Sequence, residues 1–117
     1  MQETHEVMYP VYVIIQVDKE NDKIHVSPST AHISISRNEE IVWECLEGTA
    51  TIAFPGDSPF HAGNAMDKSY RVPRGAAMHA KKVFGPEKQR KDPYRYDVEV
   101  VIDGKTYKKD PEVVVDP

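Results

Sequence analysis

The sequence has only one cysteine, Cys45, among its 117 residues. A single cysteine cannot form an internal disulfide, which excludes a small secreted scaffold held together by disulfides and suits a reducing compartment. The sequence also lacks any apolar run of about 18 residues, the length that a membrane-spanning helix needs. Its first ten residues, MQETHEVMYP, have neither the basic nor the apolar region of a signal peptide. We therefore expect a cytoplasmic protein with no membrane partner.

The composition is that of a folded chain. Hydrophobic residues make up 39% of it and the formal net charge is -4, a combination that excludes intrinsic disorder. A chain of this length buries roughly two-thirds of its surface on folding, which is enough for one hydrophobic core. The sequence thus predicts a single domain over residues 1–117, with its core in about residues 9–115.

Short apolar runs with turn residues between them predict about seven or eight β-strands and no long helix. Residues 11–17 are apolar at nearly every position, as in a strand that is covered on both faces. Residues 41–46 alternate instead, which places Ile41, Trp43 and Cys45 on one inward face. We expect Cys45 to be a small buried hydrophobe rather than a reactive thiol.

The clearest strand pattern covers residues 94–102. Alternation leaves Asp97 and Glu99 in water and directs the other face inward, namely Tyr94, Tyr96, Val98, Val100 and Ile102. These two carboxylates have a spacing that acid/base catalysis could use, but a solvated strand face explains them better. Asp103-Gly104, which follows, is typical of a two-residue type I′ hairpin.

Two segments are predicted to be loops. Residues 55–75 are rich in proline, glycine and small polar residues, and residues 85–93 are dense in charge. Loops of this length are unusual in compact domains and often carry function. Residues 76–84, between them, are compatible with either a helical turn or a strand.

The number of strands, the regular turns and the lack of a long helix predict an all-β fold, an antiparallel Greek-key β-sandwich. The order of elements resembles that of a cupredoxin, the plastocyanin-like sandwich. The resemblance covers nearly the whole chain and rests on Val26-Ser27-Pro28 before Ile33-Ser34-Ile35, Ile41-Val42-Trp43 before Ile52-Ala53-Phe54, Ser58-Pro59-Phe60, and Tyr94-Arg95-Tyr96-Asp97-Val98.

The copper chemistry of the cupredoxins does not carry over. A blue-copper site needs two imidazoles and a thiolate, usually with a thioether. In cupredoxins the thiolate, one imidazole and the thioether follow the strand that resembles residues 94–98, but here no Cys, His or Met occurs after His79. Cys45 is on an early strand instead. The resemblance therefore implies a copper-free domain with no cofactor, no metal ligands and no catalytic residues.

Charge is distributed unevenly. Residues 1–50 contain nine acidic and three basic residues, whereas residues 68–95 contain nine basic and two acidic ones. Such polarity favours an interaction with a protein partner or with a second copy of the chain. We therefore predict a binding module rather than an enzyme. Its candidate contact surface lies in the two loops and their surroundings and comprises Phe60, His61, Lys81, Lys82, Lys88, Arg90 and Lys91.

Two alternatives remain open at this point. The first is a metal-binding protein or small enzyme that uses loop histidines, His61 and His79, although none of the five histidines shows a short metal-ligand spacing. The second is nucleic-acid binding through residues 68–95, where aromatic residues accompany the basic ones. The isoelectric point of about 5.7 argues against this second alternative.

Overall fold

The computed structural model describes residues 9–62, 65–66, 69–75, 77–79 and 92–117. In these ranges the chain forms strands and no helix, which confirms the all-β prediction. The strands are β1 (Tyr9–Asp18), β2 (Lys23–Ser27), β3 (Thr30–Ser34), β4 (Glu39–Cys45), β5 (Thr49–Ala53), β6 (His61–Ala62), β7 (Ala65–Met66), β8 (Ser69–Val72), β9 (Ala77–His79), β10 (Tyr94–Arg95), β11 (Asp97–Ile102), β12 (Lys105–Lys109) and β13 (Glu112–Asp116). Within the same ranges, no helix is long and apolar enough to cross a membrane.

Two four-stranded sheets make up most of the fold. One has the strand order β2-β1-β4-β9 and the other the order β12-β11-β5-β8. A three-stranded sheet, β10-β13-β3, and the short pair β6-β7 complete the described strands. The chain passes from one large sheet to the other between β4 and β5 and returns between β8 and β9. The architecture is therefore β-sandwich-like.

The pairing is mixed, unlike the antiparallel sandwich that we expected. Strands β1 and β4 are parallel, with Val13 opposite Trp43 and Ile15 opposite Cys45. Strands β3 and β13 are also parallel. Parallel partners lie far apart in sequence, so local turn signals do not reveal them.

The segment that was predicted as a loop, residues 55–75, contains three short strands, β6, β7 and β8. The described ranges contain thirteen strands in all, more than the predicted seven or eight. Strand β8 pairs with β5 and buries Tyr70 and Val72 on alternate positions. The segment whose conformation was left open, residues 76–84, contributes strand β9, which pairs with β4; residues 80–84 lie outside the described part.

The core is centred on five aromatic rings, those of Trp43, Phe54, Phe60, Tyr70 and Tyr96. The Trp43 and Tyr96 ring centroids are 5.6 Å apart in an edge-to-face arrangement, a favourable geometry for aromatic pairs. The Trp43 Nε1–H donates a hydrogen bond of 3.2 Å to the Tyr96 hydroxyl. This bond satisfies the polar atoms that the two large side chains carry into the interior.

Alternation predicted the buried face of β11 correctly. Tyr96, Val98 and Val100 are fully buried, whereas Asp97 and Glu99 are exposed. The prediction for β4 is confirmed too, since Ile41, Trp43 and Cys45 have no exposed surface.

Strand β1 departs from its prediction as a strand covered on both faces. Val13, Ile15 and Val17 are buried, but Tyr12 is 53% exposed and Gln16 also faces solvent. The β-branched run therefore covers the core with one face only. An apolar sequence shows strand propensity, but neighbouring elements decide how many of its faces are covered.

Candidate functional site

A groove of about 560 Å³ runs between strands β2 and β12. Each of these strands is the outer strand of its sheet. Residues 22–25 line one wall of the groove, and Lys105–Lys109 line the other. The groove is thus bounded by two sheet edges that lie side by side without forming a common ladder.

The hairpin between β11 and β12 determines which backbone groups of β12 are unpaired. Asp103 and Gly104 have φ values of 51° and 76°, as a type I′ turn requires and as the sequence predicted. The loop is flanked by Ile102 and Lys105, which pair with each other. In a two-residue hairpin this flanking pair is hydrogen-bonded, and bonded pairs then alternate along the ladder. The backbone N–H and C=O groups of Thr106 and Lys108 therefore point away from β11.

The walls of the groove carry a strong excess of positive charge. Lys23, Lys105, Lys108 and Lys109 line it, and Asp22 is the one carboxylate among the lining residues. The formal net charge of the whole chain is -4. The groove is therefore a basic strip on an acidic protein.

One end of the groove is bridged by an ion pair between Lys105 and Asp22. The hydrogen bond to Asp22 raises the pKa of the Lys105 ammonium above its ordinary value. The same ammonium group lies 5.4 Å from the centre of the Tyr107 ring. Since Tyr107 is only 9% exposed, its ring forms an apolar floor beneath the lysine side chains.

The remaining lysines are held less firmly. The Lys108 ammonium is 3.9 Å from a carboxylate oxygen of Glu99, its partner across the ladder. Lys23 and Lys109 form no ion pair with any residue that the structure describes. Both side chains are exposed, so they are accessible to an approaching anion.

Most of the contact surface expected from the sequence lies outside the described residues. This applies to Lys81, Lys82, Lys88, Arg90 and Lys91. His61 is described as a backbone position only, in β6, where it pairs with Met66. His79, the other histidine of the metal hypothesis, pairs with Val42 through β9.

Phe60 is placed differently from the expectation. It was predicted to belong to the contact surface, but it is fully buried. Its ring lies 6.1 Å from that of Trp43 and 5.8 Å from that of Phe54, both edge-to-face. Its backbone N–H donates to the buried Ser58 hydroxyl at 3.1 Å, which anchors the segment against the core. The surrounding sequence is rich in proline and glycine, which indicated a surface loop. Burial of the Phe60 ring is favourable enough to hold the segment against the core instead.

Cys45 is a buried residue, as predicted. Its thiol donates to the Glu47 carbonyl oxygen at 3.0 Å. Burial raises the pKa of the thiol, so the reactive thiolate form is disfavoured. Cys45 therefore contributes packing to the interior.

Other polar residues form ordinary surface pairs. The His32 imidazole lies 3.0 Å from a carboxylate oxygen of Asp116, where β3 runs beside β13. Asp97 and Glu99 border a second groove of about 400 Å³, together with Lys108, Lys109 and Asp110. Among the described residues, no group of three or more His, Cys, Asp and Glu side chains is arranged to hold a metal ion.

Sequence reasoning identified β12 only in part. Its lysines and the following Pro111 are typical of an edge strand, because both features discourage pairing with a neighbour. The position of β2 beside it was missed, since it depends on how the two sheets are stacked. The signal that could have singled out the strand is its composition: Lys105, Lys108 and Lys109 surround an aromatic residue next to a tight turn.

Comparison with known proteins identifies no relative of this chain. No protein-family model matches the chain, and neither curated proteins nor solved structures contain a match.

Proposed function

We propose that this protein is a binding module, built on a copper-free cupredoxin-like Greek-key sandwich, that recognises another protein. The observation that carries the proposal is the basic groove at the edge formed by β2 and β12. It combines two lysines, Lys23 and Lys109, that have no ion-pair partner among the described residues with backbone groups of an outer strand that are directed away from the sheet. Both features are suited to contact with a macromolecule.

The cupredoxin-like part of the proposal is supported by the layout of the two large sheets. The chain leaves the first sheet after β4, forms β5 and β8 in the second, and returns to the first as β9. Passage back and forth between two packed sheets is the connectivity expected of Greek-key sandwiches. The single buried cysteine suits a cytoplasmic location.

The interaction part is supported by charge. Four lysines line the groove although the chain is acidic overall. A basic strip of this kind attracts a partner with a complementary acidic surface and orients it during encounter. The basic residues of the 81–91 segment, which include Lys88, Arg90 and Lys91, form a second proposed contact surface.

Affinity capture from a native lysate tests this function. The bait is the intact protein, compared with Lys23→Glu/Lys109→Glu in the groove and with Lys88→Glu/Arg90→Glu/Lys91→Glu in the second surface. Arg71→Glu is the matched control, because Arg71 is exposed on β8, the opposite edge of the same sheet as β12. Each variant is first shown to have the circular dichroism spectrum and Tm of the wild type.

We expect a protein captured in stoichiometric amount by the wild type and by Arg71→Glu but lost from at least one of the two charge-reversed variants. The function is contradicted if the same background proteins are recovered with all four baits. Loss from the second-surface variant alone would support the binding module and direct attention away from the groove.

A further inference from the structure

We infer that the β12 edge binds an extended segment of the partner protein as an added strand, and that this segment carries an acidic residue at every second position. The inference rests on the proposed function and names the partner chemistry for it. It depends on three features of the groove: the outward backbone of β12, the alternation of its lysines and the selection of an acidic strand by the charge of this edge.

The backbone of β12 supplies the first feature. Among the residues that the structure describes, strand β12 is paired on one side only, with β11. Thr106 and Lys108 direct their N–H and C=O groups to the other side, and both residues are exposed. A row of unpaired backbone groups at a sheet edge is the template used in β-strand addition.

The side chains supply the second feature. Tyr107 is buried, so its neighbours at alternate positions, Lys105 and Lys109, lie on the same inner face of the sheet and border the groove. A strand added beside β12 would place every second side chain on that same face. Carboxylates at those positions would meet the two lysines, and Lys23 of β2 lines the other wall of the groove.

The third feature is discrimination against the wrong strand. Lysines on an edge strand repel a second copy of the same edge, which protects the protein against self-aggregation. The same charges favour an acidic strand, so one set of residues excludes copies and attracts the partner. Within the groove, Asp22 is already engaged with Lys105 and does not neutralise Lys23 or Lys109.

A defined peptide tests the charge requirement. The probe is a short fluorescein-labelled peptide of alternating glutamate and threonine, and binding is followed by fluorescence anisotropy at low salt. We expect saturable binding that Lys23→Glu/Lys109→Glu weakens about tenfold or more, while Arg71→Glu leaves the Kd unchanged. A peptide of alternating lysine and threonine should not bind.

A proline substitution tests the backbone requirement. Thr106→Pro removes an N–H that points away from the ladder, and edge strands tolerate proline at such a position. We expect Thr106→Pro to weaken peptide binding about tenfold, because an added strand loses a hydrogen bond and meets the ring, whereas Thr106→Ala should bind like the wild type. Equal binding by the folded proline variant would show that charge alone holds the peptide and would overturn the inference.

Modified peptides provide the same test without changing the protein. Two probes carry N-methyl groups, one on the amides of the glutamates and the other on those of the threonines, so they block opposite edges of the extended chain. Strand addition predicts that one probe loses binding and the other keeps it. The inference is wrong if both bind as tightly as the unmodified peptide, or if an oligothymidylate of equal charge binds equally well to the wild type and to Thr106→Pro.

These outcomes separate the inference from the proposed function. Failure of every peptide test, together with loss of a captured protein from the Lys88→Glu/Arg90→Glu/Lys91→Glu variant, would refute strand addition and leave the binding module standing. Failure of both kinds of experiment would refute the two proposals together.

Discussion

The aromatic interior around Trp43 and the groove between β2 and β12 are built by the same alternation of strand residues, yet they have opposite characters. In the interior, Trp43 and Tyr96 are fully buried and hydrogen-bonded to each other. In the groove, Lys23 and Lys109 have no carboxylate partner within the described part of the chain, and the backbone of Thr106 and Lys108 points outward. The residues that stabilise the molecule are thus separate from those that are available for binding.

This separation predicts different effects for substitutions in the two regions. Substitutions in the interior should change the free energy of unfolding strongly, whereas substitutions in the groove should change binding and leave stability nearly intact. Five experiments, in order of decreasing expected destabilisation, test this contrast.

The largest effect is expected for Trp43→Ala. The indole contacts the rings of Phe60, Tyr70 and Tyr96, so its removal leaves a cavity that the sheets cannot fill. We expect a loss of about 3–5 kcal/mol in the free energy of unfolding, measured by urea denaturation. Trp43→Phe, which retains a ring, should cost less. A loss below about 1 kcal/mol would show that the interior is not the source of stability.

Gly48→Ala should have the next largest effect. Gly48 has a φ of 71°, and an added Cβ would lie 2.8 Å from Ile102 Cγ1 and 3.2 Å from the Val101 carbonyl oxygen. We expect a cost of about 1–3 kcal/mol from strain and overpacking. Gly56→Ala is the matched control, since a Cβ there meets nothing within 4 Å. Equal Tm values for the two variants would contradict the close packing of the β4–β5 turn against β11.

Tyr96→Phe keeps the ring and removes only the hydroxyl that accepts the Trp43 Nε1–H bond. The indole N–H then stays buried without an acceptor, which should cost about 1–2 kcal/mol in denaturant unfolding. Tyr12→Phe is the control, because Tyr12 is 53% exposed and its hydroxyl is free to bond to water. If both variants are as stable as the wild type, the buried hydrogen bond does not contribute to stability and the prediction is wrong.

Alkaline pH should destabilise the interior. Burial raises the pKa of the Cys45 thiol above its ordinary value of 9.0, so the unfolded chain loses the thiol proton at a lower pH than the folded chain. The stability contributed by the protonated thiol is fully present below pH 9.0 and is lost as pH rises from there through the folded pKa. Burial likewise raises the pKa of Tyr96 above its ordinary value of 10.0.

The measurement is the free energy of unfolding one pH unit below and one unit above 9.0, in the wild type and in Cys45→Ala. We expect a smaller decrease in the variant, since it has no thiol to ionise. An identical decrease in the two proteins would show that Cys45 does not contribute to alkaline destabilisation.

The smallest effect on stability is expected in the groove. Lys109 is exposed, so Lys109→Glu should leave the Tm within experimental error of the wild type. The same substitution should weaken binding of the alternating glutamate and threonine peptide. A large fall in Tm would mean that the groove is part of the structural core, and the separation of the two regions would be lost.

The interior was largely predictable because local alternation determines which side of a strand is buried. Ile41, Trp43 and Cys45, and likewise Tyr96 and Val98, are buried as their spacing indicated. The hairpin at Asp103-Gly104 was also evident, since few sequences tolerate two successive positive φ values. These features depend on neighbours in the sequence.

The groove was not predictable in the same way. It arises because β2 and β12, some eighty residues apart, are brought together at the edges of two stacked sheets. The burial of Phe60 and the exposure of Tyr12 likewise depend on which elements pack against them. Periodicity within a strand contains no information about such long-range placement.

Amide hydrogen exchange on β12 reports on the backbone groups that strand addition would engage. In the free protein, the Tyr107 N–H is bonded within the ladder and should exchange slowly, whereas the N–H groups of Thr106 and Lys108 point outward and should exchange rapidly. With the alternating glutamate and threonine peptide bound at saturation, we predict that exchange slows at Thr106 and Lys108 and that Tyr107 is little changed. Rapid exchange at both outward amides in the saturated complex would contradict the assignment of this edge as a site of strand addition.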